Sequence, residues 1–236
     1  MKRTVVITGG TKGLGREVSM AFGKAGYFVV ALYGSDDAAA DRLRTALDEA
    51  KANAIVLRHD VGSEDGAVWK LPEIQEAGSL ALIHCACAPF SPKPMHQLHW
   101  QDFESGFEVG VKGAWLCSQA LIRLMLKQGG GAIVNVLTSA IEGPAPKGFG
   151  AYVTAKHALR GLTLALAAEY AHRGLRVFSV SPGFMDTPLT QGWDGRLREN
   201  IMSGSGRVTK PAEAAIQILE LMENPALAGQ GEDYPI

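Results

Sequence analysis

Thr4-Val5-Val6-Ile7-Thr8-Gly9-Gly10-Thr11-Lys12-Gly13-Leu14-Gly15 decides how the rest of the chain is read. Residues 4–8 form a short β-branched run without polar alternation, the mark of a strand buried on both faces. A glycine-rich turn follows at once. From Leu14 the apolar residues Val18, Ala21, Phe22 and Ala25 recur at helical spacing up to Gly26, a residue suited to ending a helix. Glycines between a strand and a helix let the backbone turn tightly and leave room for a pyrophosphate, which the helix meets with free N–H groups and the positive end of its dipole. In an alternating chain this unit reads as a dinucleotide site. Its contact residues are Gly9, Thr11, Lys12, Gly13, Leu14 and Gly15.

The alternation continues outward from that unit. Strands are expected at residues 27–32, 54–57, 80–84, 132–137 and 175–180. Helices are expected from about Asp37, over 100–128, over 152–172 and over 211–222, the last with Pro211 in its first turn. The pattern predicts an α/β fold: one Rossmann-type, doubly wound parallel sheet with helices on both faces, spanning 1–236 as a single domain. Residues 89–94, 141–150 and 184–206 are the irregular stretches, and loops after strands are where such folds bind ligands. The stretch 184–206 is expected to form a substrate lid, with Met185, Leu189, Trp193 and Leu197 offering apolar contacts.

Composition narrows the function classes. Of 236 residues, 47% are apolar and 20% charged, proportions that exclude a disordered chain. The net charge of −1 leaves no basic excess for phosphate backbones, so no nucleic-acid partner is expected. Three cysteines, Cys85, Cys87 and Cys117, make no disulfide framework. Met1-Lys2-Arg3 runs straight into the first strand, which does not read as a signal peptide, and the apolar runs fall short of the ~20 residues a membrane helix needs. A cytoplasmic protein without a membrane partner is the expectation.

Two further features carry chemistry. The second strand ends Leu32-Tyr33-Gly34-Ser35, so Tyr33 stands where an acid for a ribose 2′-OH is expected. Without that acid a 2′-phosphate is not repelled, Lys12 supplies a cation and Ser35 a donor, and NADP(H) is the expected cofactor; Asp36 and Asp37, close behind, leave NAD open. Tyr152-Val153-Thr154-Ala155-Lys156 opens a helix and puts a phenol and an ammonium on one face. A nearby ammonium favours the phenolate and would lower the tyrosine pKa from its usual value near ~10.

The spacing Gly9-x3-Gly13-x-Gly15 resembles the T-G-x3-G-x-G loop of the short-chain dehydrogenase/reductase family, and the later motifs agree with it from Thr4 to about Met222. The resemblance implies that Asp60 and Val61 contact adenine, that Pro182 and Gly183 shape a nicotinamide pocket and that Thr187 touches its carboxamide. A basic residue where Lys12 stands goes with NADP in that family. Ser139, thirteen residues before Tyr152, takes the family's serine position, while counting along the strand from Asn135 gives Thr138 instead. The likeness is greatest to 3-oxoacyl-(acyl carrier protein) reductases and related ketoreductases. It implies an NADPH-dependent carbonyl reductase using the 4-pro-S hydride. In it Ser139 holds the substrate oxygen, Tyr152 gives the proton and Lys156 binds ribose and lowers the tyrosine pKa. The implied partners are a small ketone or a 3-oxoacyl thioester, with an acyl carrier protein as a candidate.

Three departures qualify the resemblance. His84-Cys85-Ala86-Cys87 replaces the family's N-N-A-G; small thiols fill such space, and C-x-C with His96 and His99 is not a structural zinc spacing, so no metal is expected. Gly110 stands at the family's mid-helix Asn, which is tied to a helix distortion whose carbonyl holds a water near the Lys; Gly offers the same carbonyl. The chain ends Gly229-Gln230-Gly231-Glu232-Asp233-Tyr234-Pro235-Ile236, which reads as a seventh strand short or missing. That puts the family's usual tetramer in doubt and leaves a homodimer through the two long helices. Two alternatives stand beside the reductase: an NAD-dependent alcohol dehydrogenase, and a cofactor-binding scaffold or regulatory subunit with impaired catalysis.

Overall fold

Alternate residues of each central strand enter opposite cores, which is why the strands are apolar throughout. In β1 (Arg3–Thr8), Val5 and Ile7 pack on one face and Val6 on the other, all with no exposed surface. The same alternation holds in β2 (Phe28–Tyr33), β4 (Ser79–His84), β5 (Gly131–Val136) and β6 (Leu175–Ser181). With β3 (Ala54–Arg58) and β7 (Gln230–Pro235) they form one parallel sheet in the order β3-β2-β1-β4-β5-β6-β7. The computed structural model describes residues 2–204, 207–224, 226 and 229–236, and the side chains of all these but Leu197, Asn200 and Met202. The Leu197 side chain and residues 205–206 of the expected lid therefore lie outside what is described.

Helices α1 (Gly13–Lys24), α2 (Asp37–Glu49) and α8 (Pro211–Glu223) cover one face, through Val18, Phe22, Leu43, Leu47 and Ile218. Helices α5 (Gly113–Lys127) and α6 (Gly150–Tyr170) cover the other, through Cys117, Leu121, Met125 and Leu166. Burying side chains of this size contributes roughly 1.5–3 kcal/mol each. Gly26 at φ 81° ends α1 as expected: its N–H bonds the Gly23 carbonyl and the Tyr27 N–H reaches back to Phe22.

Four elements differ from the sequence expectation. A one-turn helix, α3 (Pro72–Gln75), lies between β3 and β4. The helix expected over 100–128 is interrupted. It runs as α4 (Trp100–Gly106), a π-helical segment Phe107–Lys112 centred on Gly110, then α5. Taken as one piece, Trp100–Lys127 is long and apolar enough to cross a membrane, which its separate apolar runs did not suggest; Cys117, Leu121 and Met125 lie fully covered against the sheet, as in the core helix of a globular fold. The expected lid carries a helix, α7 (Gly195–Gly204).

The fourth difference is a correction. The seventh strand, expected to be short or missing, is six residues long and pairs in parallel with β6 across a bulge between Val177 and Ser179. Its sequence is polar, and long-range bonds hold it. Ser179 and Ser181 donate to the two oxygens of Asp233 at 2.9 and 2.8 Å, and the Ile236 carbonyl accepts from Gly183 N–H and the Thr209 hydroxyl. The reason for doubting a tetramer falls with it. Asp233→Ala removes both serine bonds and is expected to cost about 2 kcal/mol. That lowers Tm by roughly 4–8 °C for a chain of this size. An unchanged melting curve would contradict this account of the strand.

Candidate active site

Strand order reverses between β1 and β4, so the loops leaving their carboxyl ends diverge and open a crevice. A cleft of about 420 Å³ occupies it. Gly9, Thr11, Lys12, Gly13, Leu14 and Gly15 line one end with Thr187 against Gly13, Tyr33, Ser35, Asp60 and Val61 the side, and Tyr152 and Lys156 the other end. Ser139, Pro182 and Gly183 are not among the lining residues. Pro182 accepts the Ser139 N–H at 2.9 Å, which ties the loop after β5 to the turn after β6.

The glycine turn is built by close approach. A Cβ on Gly15 would lie 2.1 Å from the Gly9 carbonyl oxygen, and one on Gly9 2.9 Å from Ala86 Cα. Ser19 donates to the carbonyls of Gly10 and Gly15, both at 2.9 Å, and holds the turn against α1. A nicotinamide dinucleotide fits this cradle. The backbone is bare where the pyrophosphate approaches, and the cleft runs unbroken from there to Tyr152.

Around the end of β2, Lys12 is ion-paired with Asp36 at 3.1 Å. Asp36 caps α2 by accepting the Ala39 N–H; that bond first, and Lys12 second, hold its carboxyl below the usual carboxylate range. Tyr33 donates to Asp37 at 2.8 Å. Arg58, at the end of β3, donates to the Gly34 carbonyl at 2.9 Å and brings a second cation beside Ser35 that the sequence reading did not single out.

At the other end, α6 presents Tyr152 and Lys156 one turn apart. Lys156 is 7% exposed, and its ammonium donates to the Val136 carbonyl at 2.7 Å, lying 5.8 Å from the Tyr152 ring centre. Burial raises the Tyr152 pKa and Cys87 adds to the rise, while a hydrogen bond with the Thr138 side chain works against it. Burial is the largest of these influences, so the phenol is held in its neutral form. Of the two candidate hydroxyls, Thr138 is the one that bears on the Tyr152 pKa, and its Oγ1 accepts the Ala140 N–H at 3.3 Å, whereas Ser139 opens the 3₁₀ turn Ser139–Ile141.

The sequence reading missed most of the aromatic wall. Phe90 stacks on Tyr152 with ring centres 4.3 Å apart and planes 9° from parallel, and Phe149 and Trp193 meet Phe90 edge-on. Trp193 Nε1–H donates to the Phe90 carbonyl at 2.9 Å and ties the lid to the loop after β4. A second cavity of about 360 Å³ lies beside Tyr152 between Phe90, Leu98, Leu189 and Trp193. Trp193 was legible as a lid contact; Phe90 and Phe149 come from separate loops with no local pattern to join them.

Gly15→Ala tests the cradle. The clash with the Gly9 carbonyl predicts a lower Tm and at least a ~10-fold loss of dinucleotide affinity by titration calorimetry. Retained affinity would contradict the placement.

Comparison with known proteins agrees with this architecture. Residues 3–197 match the short chain dehydrogenase family model. The chain is 31% identical over 229 residues to cis-4-hydroxycyclohexanecarboxylate dehydrogenase of Sinomonas cyclohexanicum, covering 95% of this chain and 91% of the relative. It is 30% identical to acetoacetyl-CoA reductase of Allochromatium vinosum, covering 100% and 97%. Among solved structures, a short-chain type dehydrogenase/reductase from Mycobacterium ulcerans superposes with a TM-score of 0.85 at 23% identity, covering 99% of this chain and 88% of that one, a likeness of fold. The cradle at the switch point and the match along most of the length lead to one assignment: this chain belongs to the short-chain dehydrogenase/reductase family of oxidoreductases, which use a nicotinamide cofactor.

Proposed function

We propose that the protein is an NADPH-dependent carbonyl reductase acting on a ketone, with a 3-oxoacyl thioester as the first candidate substrate. The observation that carries the reading is the pair Tyr152 and Lys156, one turn apart on α6 and lining the same cleft as the glycine loop. The bound cofactor supplies the hydride. Gly9, Gly13 and Gly15 hold the pyrophosphate, and Lys156 holds ribose. The Thr138 hydroxyl orients the substrate oxygen, and Tyr152 Oη donates a proton to it as negative charge develops. Burial suits this direction, since the donor must be protonated at neutral pH.

Support for NADPH over NADH comes from charge. Lys12, Arg58, Ser35 and the N-terminus of α2 gather at the end of β2, two cations against the one carboxylate, Asp36, that pairs with Lys12 there. Lys12→Ala is expected to weaken NADPH binding about 10-fold and NADH binding less than about 2-fold. Equal losses for the two would contradict the assignment.

A ring ketone is the second reading. The cavity walled by Phe90, Leu98, Leu189 and Trp193 suits a compact apolar ring, and one relative carries a cyclohexane substrate in its name. Following NADPH consumption with acetoacetyl-CoA and with 4-oxocyclohexanecarboxylate separates the two. Tyr152→Phe and Thr138→Ala are each expected to lower kcat by about 100-fold or more while cofactor affinity holds, and Ser139→Ala to lower it less than about 5-fold. The reverse order for Thr138 and Ser139 would return the oxygen-holding role to Ser139.

A further inference from the structure

The cavity beside Tyr152 is not apolar throughout. Lys93 and Asp102 stand in its wall, and no step above uses either. The Lys93 ammonium donates to Asp102 Oδ1 at 3.0 Å, and Asp102 Oδ2 accepts the His99 N–H at 2.8 Å. That N–H first, and Lys93 second, hold the Asp102 carboxyl below the usual carboxylate range. Each oxygen of Asp102 thus has a donor. An ammonium has three N–H groups, and among the described contacts Lys93 commits one of them. Its side chain is 40% exposed, which leaves the other two open to a ligand. What the pair lacks is an acceptor, not a donor.

Both partners are held in place by other elements. The Lys93 N–H bonds the Gly148 carbonyl at 3.1 Å, and Gly148, at φ 86°, lets the two loops meet: a Cβ there would lie 3.1 Å from the Lys93 nitrogen. Asp102 lies on α4, which packs closely on α6: a Cβ on Gly106 would stand 3.3 Å from that of Ala155. Asp102 also borders, with Tyr152 and Lys156, a smaller cavity of about 20 Å³. A ligand in the larger cavity therefore meets an apolar wall of Phe90, Leu98, Leu189 and Trp193 and two donors, Tyr152 and Lys93.

We propose that Lys93 determines specificity: it binds a carboxylate carried by the ketone, so the preferred substrate is a compact oxo acid whose apolar body lies against Phe90 and Trp193. The proposal deepens the ring-ketone reading and rests on Tyr152 as the proton donor. A carboxylate brings one charge to an ammonium that already has an anionic neighbour, whereas a phosphate would bring nearly two beside Asp102. A neutral ketone would leave the two open N–H groups to water.

Three ketones and two variants test it: 4-oxocyclohexanecarboxylate, its methyl ester and cyclohexanone, with Lys93→Met and Lys93→Arg. The wild type is expected to show kcat/KM about 10-fold or more higher for the acid than for the ester. Lys93→Met keeps the length of the side chain without its charge. It is expected to raise KM about 10-fold for the acid and less than about 2-fold for cyclohexanone, a split that a structural role would not give. Lys93→Arg keeps the charge and should hold KM for the acid within about 3-fold. Equal efficiency with acid and ester, or equal losses of Lys93→Met on the acid and on cyclohexanone, overturns the proposal. So does turnover of acetoacetyl-CoA with none of the three. If no ketone at all is turned over, the reductase reading fails, and calorimetric titration of the acid into the NADP-loaded protein decides the contact. Binding weakened about 10-fold in Lys93→Met and kept in Lys93→Arg supports it; no binding, or equal binding in all three proteins, overturns it.

Discussion

The contact between Gly15 and the Gly9 carbonyl sets the rest of the site. The turn from β1 into α1 closes only because no side chain stands between them. A closed turn aims the α1 N–H groups into the crevice where strand order reverses. It also brings the loop against Ala86 and Thr187, so strand β4 and the lid are built around it. A side chain at Gly15 would push the turn off both neighbours, and the cleft would lose its floor and one wall together.

At the opposite end, the balance at Tyr152 is between burial and hydrogen bonding. Phe90 stacks on the partly buried ring and Phe149 meets it edge-on, which favours the neutral phenol. Thr138 favours the anion but does not prevail. Lys156 donates to the Val136 carbonyl and so ties α6 to β5. The aromatic wall serves two ends at once. It packs against the phenol and gives the cavity beside it an apolar face.

How far the sequence could be read depended on whether each feature is local. The β1–α1 turn and the doubly buried strands were legible because close packing demands glycine and β-branched residues in a short stretch. Strand β7 was not, since Gln230-Gly231-Glu232-Asp233-Tyr234-Pro235 has no strand pattern and is held by Ser179 and Ser181, some fifty residues away. Counting residues could not choose between Thr138 and Ser139. Strand β5 ends at Val136, Thr138 caps the 3₁₀ turn and Ser139 begins it, so both hydroxyls stand in a loop whose shape the count does not show. Gly110 pointed to a distorted helix, and the π segment is that distortion. The aromatic wall depends on elements far apart in the chain, and no local pattern marks it.

The central claim is that this cleft delivers a hydride to a ketone whose oxygen Tyr152 protonates. The most direct measurement is transfer of label from 4S-deuterated NADPH to product, followed by mass spectrometry. The account predicts an alcohol carrying one deuterium on the carbinol carbon, formed by the wild type and not by Tyr152→Phe. An unlabelled alcohol, or labelled alcohol formed equally by the variant, would contradict it.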